Sequence, residues 1–201
     1  YFYASTVIKE TPLVANAQQN YQPLASPDGK ELAYIEDRNT LKVLNLESRT
    51  SRTLLTDKEI FAGGPSHHFL WSPDSKWLLF DYSLPGYAPP EIGLVRADGK
   101  GEVVNLTRSG FSDRRARWML GGKAMLWFSD RDGLKAAAQS GGAQTDAYAA
   151  FFTREAWDRY RLTKEEYALL KEADEKRDKA KADAAKEKKD PTAKEALPEP
   201  V

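Results

Sequence analysis

The sequence predicts an all-β chain of short antiparallel sheets that stack face to face, followed by a charged helical segment. Three observations carry this. A strand-turn-strand phrase occurs three times: Leu24-Ala25-Ser26-Pro27-Asp28-Gly29-Lys30 before Leu32-Ala33-Tyr34-Ile35, Leu70-Trp71-Ser72-Pro73-Asp74-Ser75-Lys76 before Trp77-Leu78-Leu79-Phe80, and a worn copy, Arg117-Trp118-Met119-Leu120-Gly121-Gly122-Lys123 before Ala124-Met125-Leu126-Trp127-Phe128. The spacing is nearly constant, 46 residues from Ser26 to Ser72 and 47 from Ser72 to Met119. From Thr153 onwards the composition changes to charged helix formers. Repeats of this length built from short strands are those of β-propeller blades, in which a four-stranded sheet cannot bury its own faces and must stack on its neighbours. The expected fold is therefore a partial β-propeller of about three to four blades with a ~46-residue repeat.

Residues 1 to 14 read as the remnant of a blade, two apolar strands around Lys9-Glu10-Thr11-Pro12. A complete unit spans roughly 21 to 56: the first phrase, then Leu41-Lys42-Val43-Leu44-Asn45-Leu46 with period-2 alternation, then Arg52-Thr53-Leu54-Leu55. The unit at 66 to 107 repeats that order with Trp77 to Tyr82, Glu91 to Val95 and Glu102 to Thr107. Its inner connection, Leu84-Pro85-Gly86-Tyr87-Ala88-Pro89-Pro90, is too rich in proline for a ladder and belongs on the rim. The third unit, 114 to 153, runs through Leu126-Trp127-Phe128-Ser129-Asp130-Arg131-Asp132-Gly133 and the apolar run Tyr148 to Phe152, and breaks where a fourth strand is due.

Turn chemistry explains why the phrase recurs. Ser-Pro-Asp-Gly puts Pro where its fixed φ suits a type I turn and Gly where a left-handed residue admits the next strand. Ser75 stands at the Gly position of the second copy and is expected to carry left-handed strain on the order of 1 kcal/mol. Trp71 and Trp118, each ending the strand before the turn, are expected to wedge between blades.

The segment 154 to 201 reads as a helical insertion or tail. Thr153 can cap a first helix over 154 to 161, and Thr163-Lys164-Glu165-Glu166 is a capping box for a second. Trp157, Tyr160, Tyr167 and Leu170 give the pair one apolar face. Beyond Ala173 only alanines interrupt the charge, with Glu172/Lys176 and Glu175/Lys179 at pairing distance, so a solvated helix fraying before Pro191 is expected. The segment holds 13 basic and 13 acidic residues, which argues against a nucleic-acid arm.

Composition narrows function by exclusion. Lys plus Arg and Asp plus Glu are 30 each, so no net field draws the chain to nucleic acid or anionic lipid. Without cysteine there are no disulfides, thiolate sites or cysteine nucleophile. No apolar run reaches the ~18 residues of a membrane span. The two histidines, His67 and His68, are adjacent, so on a strand they point to opposite faces and cannot serve one metal or one triad together. Asp130-Arg131-Asp132-Gly133 resembles the start of a calcium loop but lacks the later acidic ligands and reads as a hairpin turn. Asp113-Arg114-Arg115 with Arg117 reads as rim salt bridges. Gly63-Gly64-Pro65 and Gly141-Gly142 are not phosphate loops, since neither opens a helix with a following Lys-Ser or Lys-Thr. No catalytic, cofactor-binding or metal-binding residue is assigned, and no cofactor is expected.

Ser26 to Lys30, Trp71 to Asp74 with Lys76, and Phe128 to Gly133 resemble the repeats of TolB-type and tricorn-type β-propellers. More discriminating is Asp146-Ala147-Tyr148 through Phe151-Phe152-Thr153, then Glu155-Ala156-Trp157-Asp158-Arg159 and Leu162 to Glu166. That run resembles the helical excursion in the N-terminal propeller of bacterial tricorn-like serine peptidases, where helices interrupt a blade before the propeller resumes. The resemblance implies a non-catalytic propeller region of a longer serine peptidase that scaffolds it and gates or guides unfolded peptides. The catalytic residues would then lie in a distant domain beside a PDZ-like one, and the protein would be periplasmic or otherwise exported. Its partners would be peptides or a protein, and the remainder of the parent chain; self-association is one way to cover the open edges of an incomplete propeller. A TolB-like interaction propeller without peptidase activity and the propeller of a prolyl-oligopeptidase-type enzyme remain open.

Overall fold

The computed structural model describes residues 10–60, 67–83, 89–134 and 143–187. The strand expected over residues 1 to 8, Gly63-Gly64-Pro65, the loop from Leu84 to Ala88, Gly141-Gly142 and the tail from 188 lie outside the described residues. The chain divides into two compact units at Phe152 and Thr153.

The first unit is a stack of meanders. Strands β1 (Asn20–Ala25), β2 (Glu31–Glu36), β3 (Thr40–Asn45) and β4 (Ser51–Leu55) form one antiparallel sheet in sequence order. Strands β5 (Phe69–Trp71), β6 (Trp77–Tyr82), β7 (Glu91–Arg96) and β8 (Val104–Asn105) form a second. The third has β9 (Arg114–Met119), β10 (Ala124–Ser129) and β11 (Asp146–Phe151), with no fourth strand among the described residues.

Each phrase closes a turn as its residues dictate. Gly29 N–H donates to Ser26 O and Ser75 N–H to Ser72 O, both at 2.9 Å. The serine hydroxyls, buried, donate to Asp28 and Asp74 at 2.6 Å, and the same carboxylates accept the N–H groups of Lys30 and Lys76 at 3.1 Å. Those bonds, the serine hydroxyl first, hold both aspartates below the usual carboxylate range. Gly29 has φ 71° and Ser75 φ 60°, so the serine does occupy the left-handed position. The worn copy has neither hydroxyl nor carboxylate; a 3-10 turn over Leu120–Gly122 with three successive left-handed residues replaces them.

Period-2 alternation then sorts side chains between the sheets. Ala33, Ile35, Leu41, Val43 and Leu55 of the first sheet meet Phe69, Trp71, Leu78, Phe80 and Val95 of the second. From the other face of the second sheet, Leu79 and Ile92 meet Ala116, Met125 and Trp127 of the third. The expected tryptophan wedges are present and add a hydrogen bond: Trp71 Nε1 donates to Leu24 O at 3.0 Å, and Trp118 Nε1 to Leu70 O at 3.3 Å. Gly93 makes room for Phe80, its cross-strand partner, whose ring would lie 2.3 Å from any Cβ at that position.

In the second unit, α1 (Arg154–Tyr160) is capped by Thr153, whose hydroxyl accepts from Ala156 N–H at 3.1 Å. The capping box opens α2 (Lys164–Glu187): Thr163 N–H reaches Glu166 at 2.8 Å and Glu166 N–H returns to Thr163 at 3.3 Å. Arg159 ties the helices through Asp174 at 2.7 Å. Beyond it, among the described residues, Lys171 pairs with Glu175 and Arg177 with Asp174 and Asp178, rather than the two pairs expected from spacing. Exposed pairs of this kind are worth a few tenths of a kcal/mol, so which partner is met is nearly neutral in energy. Trp157 and Tyr160 stack, yet with Tyr167 they remain exposed.

Replacing Trp71, which is 7% exposed, with alanine removes both the wedge and a partner of the Leu24 carbonyl. Urea unfolding should show a loss of about 3 to 5 kcal/mol, while Trp71→Phe should lose less. Gly93→Ala should fall in the overpacking range of about 1 to 3 kcal/mol, because the Phe80 ring must be displaced; an unchanged midpoint would remove this account of the glycine.

Candidate functional site

The first strands β1, β5 and β9 come together at one edge of the stack, and polar side chains tie each to the next. Gln22 clasps the main chain of His67 with both ends of its amide, donating to the carbonyl at 3.0 Å and accepting the N–H at 2.8 Å. His68 Nε2 lies 2.9 Å from Ala116 O; a carbonyl only accepts, so Nε2 carries the proton. His67 Nε2 meets Arg38 O on the other side. The two histidines therefore serve opposite neighbours, and among the described residues no serine hydroxyl is bonded to either. Asp81 completes the belt by accepting Arg115 N–H at 2.9 Å, which supports that residue's left-handed backbone at φ 56°. A register shift in β9 beside this residue marks a bulge, and bulges re-aim side chains.

Two carboxylates, Asp113 buried and Asp81 half-buried, lie near this edge and differ in setting. Burial pushes the Asp81 carboxyl above its ordinary range, against the pull of Arg115 N–H, His68 and Arg114. Asp113 is 0% exposed, yet the hydroxyls of Ser109, Ser129 and Thr107 and the Arg131 guanidinium outweigh burial and hold it below that range. Arg131 approaches both Asp113 oxygens at 3.2 Å and lies over the rings of Trp127 and Tyr148 at 5.6 and 4.6 Å. Tyr148 donates to Asp132, and that bond with partial desolvation pushes its phenol up to about 12.

Beside this network an open cleft of about 540 Å³ is lined by Ser112, Arg114, Arg115, Phe128, Asp130 and Thr145. Arg114 Nε donates to Ser112 Oγ and Ser112 N–H to Asp130, both at 2.9 Å. The guanidinium groups of Arg115 and Arg117 make no hydrogen bond or ion pair with described residues. Such a cleft offers cationic donors over an aromatic floor, suited to main-chain carbonyl or carboxylate oxygens. At the opposite end of the same sheets, a groove of about 280 Å³ is lined by Pro73, Trp77, Leu94, Trp118 and Phe152.

The rim pairing expected for Asp113, Arg114, Arg115 and Arg117 is not what forms. Asp113 turns inward to Arg131, 18 residues on, because a fully buried carboxylate needs several donors and the loop after β10 supplies a guanidinium. Asp130, Arg131 and Asp132 diverge, to Ser112, Asp113 and Tyr148, so they do not converge on a cation. Among the described residues no cluster of three or more His, Cys, Asp or Glu side chains is placed to hold a metal ion. The run of alternating charge at 130 to 132 was the only signal for the Arg131 network; nothing in the sequence signalled Asp81.

No family model and no curated protein matches the chain. Solved structures do. The tricorn protease is similar over 67% of this chain and 14% of its own, at 15% identity and a TM-score of 0.50. The putative TolB from Agrobacterium tumefaciens is similar over 69% of this chain and 52% of its own, at 20% identity and a TM-score of 0.47. For a prolyl endopeptidase the figures are 67%, 20%, 17% identity and 0.46. This chain thus spans about half the TolB structure and a small part of the tricorn protease. Together with the sheet order, the likeness to the tricorn protease establishes the fold: the three sheets are blades of a partial β-propeller.

Removing Arg131 as Arg131→Met leaves Asp113 buried without its cation, and should cost about 3 to 5 kcal/mol at pH 7 in urea unfolding. Because the Asp113 pKa is lowered by folding, its stabilisation is present above the unfolded carboxylate value and lost as pH falls through the folded one. For Asp81 the sign reverses: its raised pKa is a cost present at neutral pH and relieved on acidification. Asp81→Asn, which keeps an acceptor for Arg115 N–H, should therefore leave the pH 7 midpoint unchanged or higher, whereas Asp113→Asn should lower it; the reverse order would refute both assignments.

Proposed function

We propose that this chain is the non-catalytic propeller region of a tricorn-like serine peptidase, which scaffolds the enzyme and guides unfolded peptides towards an active site carried elsewhere. The observation that carries the reading is the third blade. Its strand β11 passes through Phe152 directly into capped helices at Thr153, within the run Asp146 to Glu166 that resembles the helical excursion of those enzymes. The likeness to the tricorn protease supports the blade type. In this role the cationic cleft at the leading-strand edge is where extended peptide would meet the propeller through its carbonyl oxygens. A periplasmic or otherwise exported location belongs to the same reading.

The test compares this chain with the intact polypeptide on an unstructured fluorogenic polypeptide, with and without a serine-directed inhibitor. Inhibitor-sensitive cleavage by the intact polypeptide alone is expected. Silence in both would favour a TolB-like interaction propeller, and turnover by this chain itself would mean a site built from its own side chains. A Gly-x-Ser-x-Gly elbow in the intact polypeptide would instead point to a prolyl-oligopeptidase type.

A further inference from the structure

The second unit has almost no interior of its own. Ala156 is the one fully buried residue among its described residues, and Leu169, in the first half of α2, is 68% exposed. Between α1 and α2 runs an open groove of about 810 Å³, with Leu162, Leu169 and Leu170 along it and the carboxylates of Asp158, Glu166 and Asp174 at its edges. With Glu155 the lining holds four carboxylates against two guanidiniums, and both guanidiniums are engaged inside the unit. Arg159 pairs with Glu155 at 3.2 Å and Asp174 at 2.7 Å, and Arg177 with Asp174 at 2.8 Å. The Thr163 N–H and hydroxyl hold the Glu166 carboxyl below its ordinary range, so it too stays charged. An apolar groove inside a rim of one dominant sign is an interaction surface.

The same helix carries the complement of that groove. Residues three or four apart share a helix face, so the row through Glu166, Leu170 and Asp174 continues past Arg177 as Ala180, Lys181 and Ala184. The first half of the row sets leucines beside carboxylates; the second sets alanines beside cations. From 154 to 175 the sequence has five basic and seven acidic residues, and from 176 to 184 four basic and two acidic. Large side chains that face small ones interdigitate, and the two halves attract by charge. Lys181 makes no ion pair with a described residue. Because α2 is one continuous helix from Lys164 to Glu187, about 36 Å long, its distal half cannot fold back onto its own groove. The occupant comes from another chain.

We infer that α2 pairs antiparallel with α2 of a second copy of this chain, the stretch from Ala180 to Ala184 of each lying in the groove of the other. A two-fold axis crossing the helices between Asp174 and Arg177 makes both contacts at once, as an isologous interface requires. Leucines then meet alanines, and Lys181 of each copy approaches the acidic rim at Asp158 and Glu166 of the other. Asp174 and Arg177, beside the axis, pair between copies as well as within each. This pairing uses no residue of the sheets and needs no peptidase activity, so it stands apart from the proposed function.

Sedimentation velocity of this chain over a range of concentrations is expected to show a reversible monomer–dimer equilibrium. Lys181→Glu sets a carboxylate against the acidic groove and should weaken dimerisation about tenfold or more, and Asp158→Lys, at the groove itself, should do the same. Both side chains are exposed, so helix content by circular dichroism should stay at its original level. Mixed together, the two variants should regain the original affinity, because the reversed charges then face each other. Leu169→Lys, at an exposed position, is a second probe should a charge reversal perturb the helices, and it should weaken the dimer equally. A chain that stays monomeric at every concentration leaves the groove to a partner of other chemistry and overturns the inference. A dimer that survives all three substitutions lies on another face and overturns it as well. Charge-reversed variants that pair neither alone nor when mixed refute the antiparallel arrangement.

Discussion

Strands within each sheet are joined by ladders, but no ladder can join one sheet to the next. Apart from main-chain bonds at the margins, Ser83 N–H to Glu59 O and Asp113 N–H to Pro90 O, what holds this stack together acts across faces: apolar side chains at alternate positions, and a few side chains that reach a main-chain atom of the neighbour. The indole of Trp71 does both, filling the space between the first two sheets and donating to Leu24 O. The Trp118 bond to Leu70 O places the third sheet on the second by the same offset. Two such bonds at one repeat position fix how far each blade slides over the last, something non-directional burial leaves free.

The turn chemistry serves that contact. The tryptophan is the residue immediately before the serine whose hydroxyl and carboxylate partner lock the turn, so the turn sets where the indole emerges. In the first two copies the lock is polar, through Ser26 with Asp28 and Ser72 with Asp74. In the third, glycines at Gly121 and Gly122 reach the left-handed conformations without those bonds, and a Cβ on Gly122 would crowd Pro73 of the previous turn at 3.3 Å. Loss of the serine and aspartate is tolerated because the backbone path, not the hydroxyl, is what Trp118 needs.

What could be read from the sequence and what could not divide along the same line. The phrases, the left-handed Ser75 and the capping box at Thr163 are local: residue type and spacing of a few positions determine them. The ties between blades are not local. Gln22 and His68 occupy one repeat position with nothing chemical in common except a donor, because the acceptor is a main-chain carbonyl that any residue supplies. A sequence pattern cannot register a partner with no side-chain identity. The Asp113–Arg131 pair was hidden for a related reason, since it closes across a loop and reveals itself only once Asp113 is known to be buried.

Asp81 shows how much specificity such a position can hold. Where the first sheet has Ile35 and the third has Phe128, the second sheet presents a carboxylate to its neighbour. Burial there is unfavourable unless a donor arrives, and the donor is Arg115 N–H, exposed by the bulge in β9. A blade without that bulge would leave the carboxylate facing an interface with no partner, a penalty on the order of 1 to 3 kcal/mol or more for a charged group. The third sheet therefore meets this carboxylate of the second with a main-chain donor, which Ile35 at the same position of the first sheet does not need from its successor.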